Sequence, residues 1–113
     1  MIEQLILDWL TERDFPAVTE IPEGWTGGAL VTIEKVGSSW RQALEEDTVA
    51  IQSYGDSLYE AAALNQAVCA AMLELHESAA VCYCRKNSDY NWTDTEKHRY
   101  RYQAIFDVLW YGE

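Results

Sequence analysis

The segment Thr48–Leu75, TVAIQSYGDSLYEAAALNQAVCAAMLEL, decides the fold of this chain. Its first seven residues alternate along the chain and are rich in β-branched and aromatic types, which predicts a strand with one face covered. Gly55 permits a tight turn after that strand, and Ser57 with Glu60 three positions later matches a helix capping box. Apolar residues then recur at helical spacing, so the segment predicts a strand, a capped helix and a buried seam between them.

The sequence around this segment predicts a second helix and four further strands. Apolar spacing near the N-terminus indicates an amphipathic helix that ends shortly after Asp14, ahead of Pro16. The extended segments are predicted at residues 17–21, 30–36, 80–85 and 100–110, and the polar stretches 37–47 and 86–97 are predicted to be long loops. This order, α-β-β-β-α-β-β, predicts a single α+β domain over residues 1–113. We expect a mostly antiparallel sheet of four to five strands with two helices packed on one face.

Acidic residues dominate the charge of the chain, with 19 Asp and Glu against eight Lys and Arg and a net charge of −11. The excess lies in residues 1–60, which contain 12 acidic and three basic residues. A chain of this charge does not hold nucleic acid through its phosphates. The excess is typical of a solvated acidic face; it also fits a surface that repels passing nucleic acid or docks a basic partner. The consecutive residues Glu45, Glu46 and Asp47 are interpreted as a solvated run rather than a divalent-ion site.

The side chains that carry chemistry do not form a catalytic or metal-binding motif. Cys69, Cys82 and Cys84 are an odd number in a chain without a secretory signal, so we expect them to be reduced, small and buried. Their spacing to His76 and His98 does not match a zinc motif, and His76 is expected to cap the end of the central helix. There is no nucleophile with a neighbouring base and no phosphate-binding loop. We therefore expect no enzymatic activity, metal or cofactor, and the lack of a signal peptide or membrane-spanning stretch favours a cytoplasmic location.

Three pieces of the sequence resemble a known family of proteins. They are LVTIEKVG (residues 30–37), QSYGDSLYEAAALN (52–65) and NSDYNWTDTEKHRYRYQAIFDVLWY (87–111). In their order and spacing they are similar to the tail terminator, or tail completion, proteins of tailed bacteriophages and prophages. The resemblance covers most of the chain from Leu30 to Tyr111, and its most specific part is Asn87–Asp107. None of the matched residues is catalytic, so the resemblance lies in the overall pattern.

The resemblance implies a ring-forming structural protein of the virion, made in the cytoplasm of a bacterial host. Such a ring is typically hexameric, caps the tail tube at full length and then meets the head connector, while DNA passes through without specific binding. Its partners would be copies of itself, the major tail tube protein and the connector or neck protein, with no membrane. Exposed aromatic residues on long loops are expected at the interfaces, and an acidic lumen would repel DNA. The interface candidates are Trp25, Trp40, Arg41 and Trp92, and the lumen candidates are Glu45, Glu46 and Asp47.

The residues also leave other classes of protein open. A head-closure or neck protein of the same kind of virion would share a small α+β ring subunit. The net charge fits an acidic DNA mimic that inhibits a host DNA-binding enzyme, although the pattern of an ordinary core does not require that function. A small enzyme is the remaining alternative. Trp25, on a glycine-rich loop, is expected either to pack onto the core or to contact a partner.

Overall fold

The computed structural model describes residues 1–112 and arranges a five-stranded sheet against two helices. The predicted α+β class and the order α-β-β-β-α-β-β are confirmed. The elements are α1 (Ile2–Thr11), β1 (Ala17–Val18), β2 (Leu30–Arg41), β3 (Leu44–Gly55), α2 (Leu58–Met72), β4 (Val81–Asn91) and β5 (Tyr100–Trp110), with a 3₁₀ turn at Leu75–Glu77. The strand order in the sheet is β1-β2-β3-β5-β4, and every neighbouring pair is antiparallel except β1 with β2.

The core lies between one face of the sheet and the two helices. In the central strands β3 and β5, side chains alternate as predicted, so that Val49, Phe106 and Val108 are fully buried. Burial of a large apolar side chain contributes roughly 1.5–3 kcal/mol, and this contribution is the main source of stability. The helices complete the core with Ile2, Ile6 and Leu10 of α1 and with Ala61, Val68 and Met72 of α2.

The start of α2 follows the predicted capping box. Ser57 Oγ accepts a hydrogen bond from the Glu60 N–H at 3.1 Å. Gly55 is required for close approach, because a Cβ at this position would lie 2.7 Å from the backbone nitrogen of Ala61. The local sequence therefore determines both where the helix begins and how closely its first turn packs on the end of β3.

Two segments that the sequence predicts as long loops are strands instead. Residues 37–47 belong to a β2–β3 hairpin that closes with a two-residue turn, in which Gln42 has a φ of 56°. Residues 86–91 continue β4, and a short connection over residues 92–99 leads into β5. Most side chains in both segments are exposed, so no apolar alternation marks them. Paired strands are joined by hydrogen bonds between backbone groups, so a strand can form where its side chains show no apolar alternation.

The three cysteines are free thiols, but they are not all buried. Cys69 and Cys84 lie in the core, as expected. Cys82 is exposed, so the prediction of a buried side chain is wrong at this position. The pairing of β4 with β5 shifts register between Val81 and Tyr83, and this bulge removes Cys82 from the alternation that buries Cys84.

Candidate interaction surfaces

The long strands give the subunit two ends that carry different side chains. Its largest dimension is 44 Å, close to the roughly 40 Å that a 12-residue strand spans. We call the region of residues 38–47 and 109–112 the hairpin end. The opposite region, formed by residues 22–28, 54–57 and 92–102, is the arginine end. The interface candidates divide between these two ends.

Trp40 and Arg41 lie at the hairpin end, where both are accessible. Trp40 is 56% exposed. Its ring rests against the chain at Gly112, because a Cβ added to that glycine would lie 2.8 Å from a ring carbon. The Arg41 guanidinium lies 3.2 Å from the Glu46 carboxylate. The hairpin end therefore presents an aromatic ring on the side of the sheet that faces the helices and a cation on the opposite side, and an interface with another protein favours both residue types.

The three lumen candidates do not share a surface. Glu46 lies on the open face of the sheet, which is the face opposite the helices, whereas Glu45 and Asp47 lie on the helix side because strand side chains alternate. Asp47 is fully buried, and its Oδ2 accepts a hydrogen bond from Trp110 Nε1 at 2.7 Å. Asp47 is therefore part of the core and cannot line an acidic lumen, and Glu45 and Glu46 remain as candidates.

The two remaining carboxylates of the hairpin end have pKa values shifted in opposite directions. A hydrogen bond with the Asp47 carboxyl raises the pKa of Glu45, because the protonated form of Glu45 makes this bond. In contrast, the Tyr83 hydroxyl donates to Glu46 and lowers its pKa, while the same bond raises the pKa of Tyr83. Asp47 Oδ1 is buried and has no donor among the described residues, so a proton on Glu45 would give it one.

The arginine end stacks guanidinium groups on aromatic rings. The Arg101 guanidinium lies 4.1 Å from the Trp92 ring centre, and its Nε donates to the Trp92 carbonyl at 2.7 Å. Trp25 packs edge-on against Tyr54 with ring centres 5.4 Å apart, and the Arg99 guanidinium lies 5.3 Å from the Trp25 ring. Trp25 is half-buried by these contacts, whereas Trp92 is 41% exposed. Of the two alternatives for Trp25, packing onto the body of the protein is the one observed.

An aspartate orders the connection at the arginine end. Asp94 Oδ1 accepts hydrogen bonds from the backbone N–H groups of Glu96 and Lys97 at 3.1 and 3.2 Å. These bonds, of which the one from Lys97 has the larger effect, lower the pKa of Asp94. His98 adopts a φ of 53° in the same turn. The connection between β4 and β5 is therefore ordered by its own hydrogen bonds, and it holds the backbone next to Trp92 in place.

The open face of the sheet carries a row of polar side chains that sequence reasoning missed. Thr32 Oγ1 donates to Gln52 at 2.5 Å, Gln52 Nε2 donates to Gln103 at 2.6 Å, and Gln103 Nε2 donates to the Tyr90 hydroxyl at 2.5 Å. The row crosses β2, β3, β5 and β4, and its two glutamines are buried. The only signal in the sequence was that two of the predicted strands each carry a glutamine on the side away from the predicted core.

Sequence reasoning also missed the exposed apolar side chains on and next to α2. Tyr59 is 82% exposed, Leu58 is 41% exposed and Leu73, which follows the helix, is 46% exposed. Glu60 is the only charged residue in α2. The alanine content of this helix was interpreted as close packing on the sheet, and that interpretation accounts for one face only.

The titratable groups do not point to a reactive centre. Burial raises the pKa of Cys69 to about 11 and that of Cys84 to about 12, so both thiols stay protonated near neutral pH. His76 Nδ1 lies 2.9 Å from the Leu73 carbonyl, which matches its predicted role at the end of α2. Within residues 1–112, no three His, Cys, Asp or Glu side chains are grouped so as to hold a metal ion. No helix in the described part of the chain is long and apolar enough to cross a membrane.

The chain shares its fold with chains of solved structures, one of which comes from a virion. Fourteen chains of solved structures match it. One of them belongs to a structure described as "Virion of native gene transfer agent (GTA) particle", and the two chains superpose with a TM-score of 0.66. The match covers 92% of this chain and 84% of the other at 14% sequence identity, so the likeness is one of fold. No protein-family model and no curated protein sequence matches the chain.

Proposed function

We propose that this protein is a structural subunit of a tailed-phage type of virion, and specifically a tail terminator. In this role, copies of the chain form a ring, most simply a hexamer, that caps the completed tail tube and joins it to the head connector. The observation that carries the proposal is the fold, which is shared over 92% of the chain with a component of a gene transfer agent particle. The sequence resemblance to tail terminators supports the finer assignment.

The two different ends of the subunit support a position between two partners. A ring between a tube and a connector must offer a different surface on each side. The hairpin end presents Trp40 and Arg41, and the arginine end presents Trp92 stacked on Arg101. Trp, Tyr and Arg are the residue types that most often dominate binding energy at protein interfaces. One end would contact the major tail tube protein and the other the connector or neck protein.

The acidic character of the chain supports a ring through which DNA passes. A net charge of −11 disfavours binding to phosphates, and it lowers the chance that DNA is held during passage. Glu45 and Glu46 are the surface carboxylates proposed to face the lumen. The hydrogen bond from Tyr83 and the nearby Arg41 lower the pKa of Glu46, which favours its ionised form. The protein would then act in the virion, after assembly in the bacterial cytoplasm.

The proposal is tested with the tail tube protein encoded in the same genome. That protein is polymerised in vitro with and without this chain, and tube lengths and tube ends are scored by electron microscopy. We expect shorter tubes with a ring at one end. Binding to the connector protein but not to tubes would instead support the head-closure alternative. A strict monomer that binds a DNA-processing enzyme in place of DNA would support the acidic DNA mimic and contradict the proposal.

A further inference from the structure

Both outer edges of the sheet are open over most of their length. On one side, β1 pairs with β2 only at Val31 and Thr32. The Val31 N–H donates to the Pro16 carbonyl on that side. Because every second residue of a strand directs its backbone groups to the same side, Lys35 also points its N–H and C=O outward. On the other side, β4 pairs with β5 and with no other strand in the described chain.

A groove of about 500 Å³ runs along the open edge of β2. The start of α1, the segment after β1 and the edge of β2 line it, and it extends past the edge to Gln52 and Tyr54 of β3 and to Trp92. Glu3, Glu20 and Glu34 line the groove together with Lys35, so acidic side chains predominate. Unpaired strand edges bind extended strands through main-chain hydrogen bonds, and the side chains beside the edge set the specificity. This groove therefore fits an extended strand with basic side chains.

The β4 edge carries the complementary charge. Arg85 and Lys86 are adjacent on β4 and both are exposed, in a chain that has only eight basic residues. Successive strand pairings place Arg85 in the row of Gly37, two rows from Glu34 and on the same face of the sheet, a diagonal separation that a long side chain spans across an edge contact. Lys86 lies in the row of Lys35 and contacts Asp89 on its own strand at 3.4 Å, so Arg85 is the source of attraction across a contact.

We propose that the β4 edge of one copy pairs with the β2 edge of the next copy, so that the sheet continues from subunit to subunit. The inference rests on the proposed function and names the lateral contact of the ring. Copies with a charge of −11 repel over most of their surfaces, whereas this contact places Arg85 near Glu34 of the acidic groove. Two different edges meet, so the contact is heterologous, as ring closure requires.

A single-atom substitution provides the first test. Ser39 is exposed on β2 and lies in the same row of the sheet as Tyr83, next to the exposed thiol of Cys82. The variant Ser39→Cys therefore has a reactive thiol at each edge. With a short bismaleimide cross-linker, we expect a ladder of trimers and larger multimers, because each copy can link to two neighbours. The double variant Ser39→Cys/Cys82→Ser should give nothing above dimers.

A matched control separates edge pairing from random collision. The variant Ala67→Cys places a second exposed thiol on α2 while Cys82 remains in place. It should give no ladder above the dimer under the conditions that link Ser39→Cys. A ladder of equal yield from this control would overturn the inference.

Charge exchange across the contact provides a second, independent test. In the Ser39→Cys background, Arg85→Glu should reduce the yield of multimers roughly fivefold, the effect of losing an ion pair worth about 1 kcal/mol. Adding Glu34→Arg should restore most of the yield, since the attraction is then re-formed with opposite signs. Circular dichroism spectra of all variants should match that of the parent. Failure of the second change to restore the yield would contradict the proposed pairing.

The inference and the proposed function can fail separately. Tubes capped by rings, together with the absence of a Ser39→Cys ladder, would overturn the edge pairing and leave the terminator role intact. A ladder that depends on Cys82, without any effect on tubes, would support the pairing and contradict the terminator role.

Discussion

Replacing Trp110 with phenylalanine should cost more stability than the size of the change suggests. Trp110 is 5% exposed, and its Nε1 donates to the carboxylate of Asp47, which is fully buried. The other oxygen of Asp47 has no donor among the described residues, so the variant would leave the carboxylate with no donor other than a protonated Glu45. A buried hydrogen bond to a charged group contributes about 2 kcal/mol, and the smaller ring loses roughly 1 kcal/mol of packing. We therefore expect a loss of about 3 kcal/mol, or roughly 12–24 °C in Tm for a domain of this size.

Trp9 provides the matched control. Its Nε1 also donates a hydrogen bond, but the acceptor is the neutral backbone carbonyl of Ala71 at 2.9 Å, and the pair is only partly buried. Trp9→Phe should cost about 1 kcal/mol from the lost hydrogen bond and up to ~1 kcal/mol from lost packing, which includes the Arg13 guanidinium 3.3 Å from the ring centre. The assay is urea unfolding followed by far-ultraviolet circular dichroism, since tryptophan fluorescence changes with either substitution. The slope of the transition should stay the same in both variants.

A double-mutant cycle isolates the buried charge. In an Asp47→Asn background, Trp110→Phe should cost at least 1 kcal/mol less than in the parent, because no ionised group is left without a donor. Equal costs for Trp110→Phe and Trp9→Phe, unchanged by the Asp47 substitution, would refute a buried hydrogen bond from Trp110 to a charged Asp47.

Three further substitutions test other parts of the structure. The pKa of Glu45 is raised in the folded state, so protonated Glu45 stabilises the fold fully at a pH below its pKa in the unfolded chain, and this stabilisation is lost as the pH rises through its pKa in the folded protein. Glu45→Gln should therefore be more stable than the parent at pH 7, and the difference in Tm between the two should close near pH 4. Gly55→Ala should lower stability by about 1–3 kcal/mol through overpacking against the first turn of α2, whereas Gly37→Ala, whose Cβ would lie 3.8 Å from Thr48, should be nearly neutral in the same urea assay. Trp40→Ala should raise the protein concentration needed for half-maximal capping of tail tubes at least tenfold, as for an interface residue that contributes about 1.4 kcal/mol or more. The circular dichroism spectrum of the variant must match that of the parent, and unchanged capping would exclude Trp40 from the interface.

The sequence predicts those elements whose cause is local. Gly55, Ser57 and Glu60 act within a few residues of one another, and they define the start of α2 in the structure as they do in the pattern. The last strand is equally clear, because its alternate apolar residues all face the helices. Element order and fold class follow from such segments without any information about contacts between distant residues.

The parts that were mispredicted depend on partners distant in the chain. Asp47 was assigned to a loop and therefore to solvent, whereas pairing of the extended β3 with β5 places it beside Trp110. The row formed by Gln52 and Gln103 exists because β3 and β5 are neighbours, and this neighbour relation is not written in either strand. The bulge that exposes Cys82 is likewise a property of a strand pair. The interface candidates Trp40 and Arg41 were recognised by residue type and exposure, although their segment was given the wrong structure.

Electron microscopy of the purified protein over a concentration series is the most direct test of the proposed assembly into rings. We predict closed rings of uniform size with a central opening, which become more abundant as concentration rises and which cap tail tubes when these are present. Particles that remain monomeric at every concentration and leave tube ends bare would contradict the assignment of this protein as a ring-forming virion subunit.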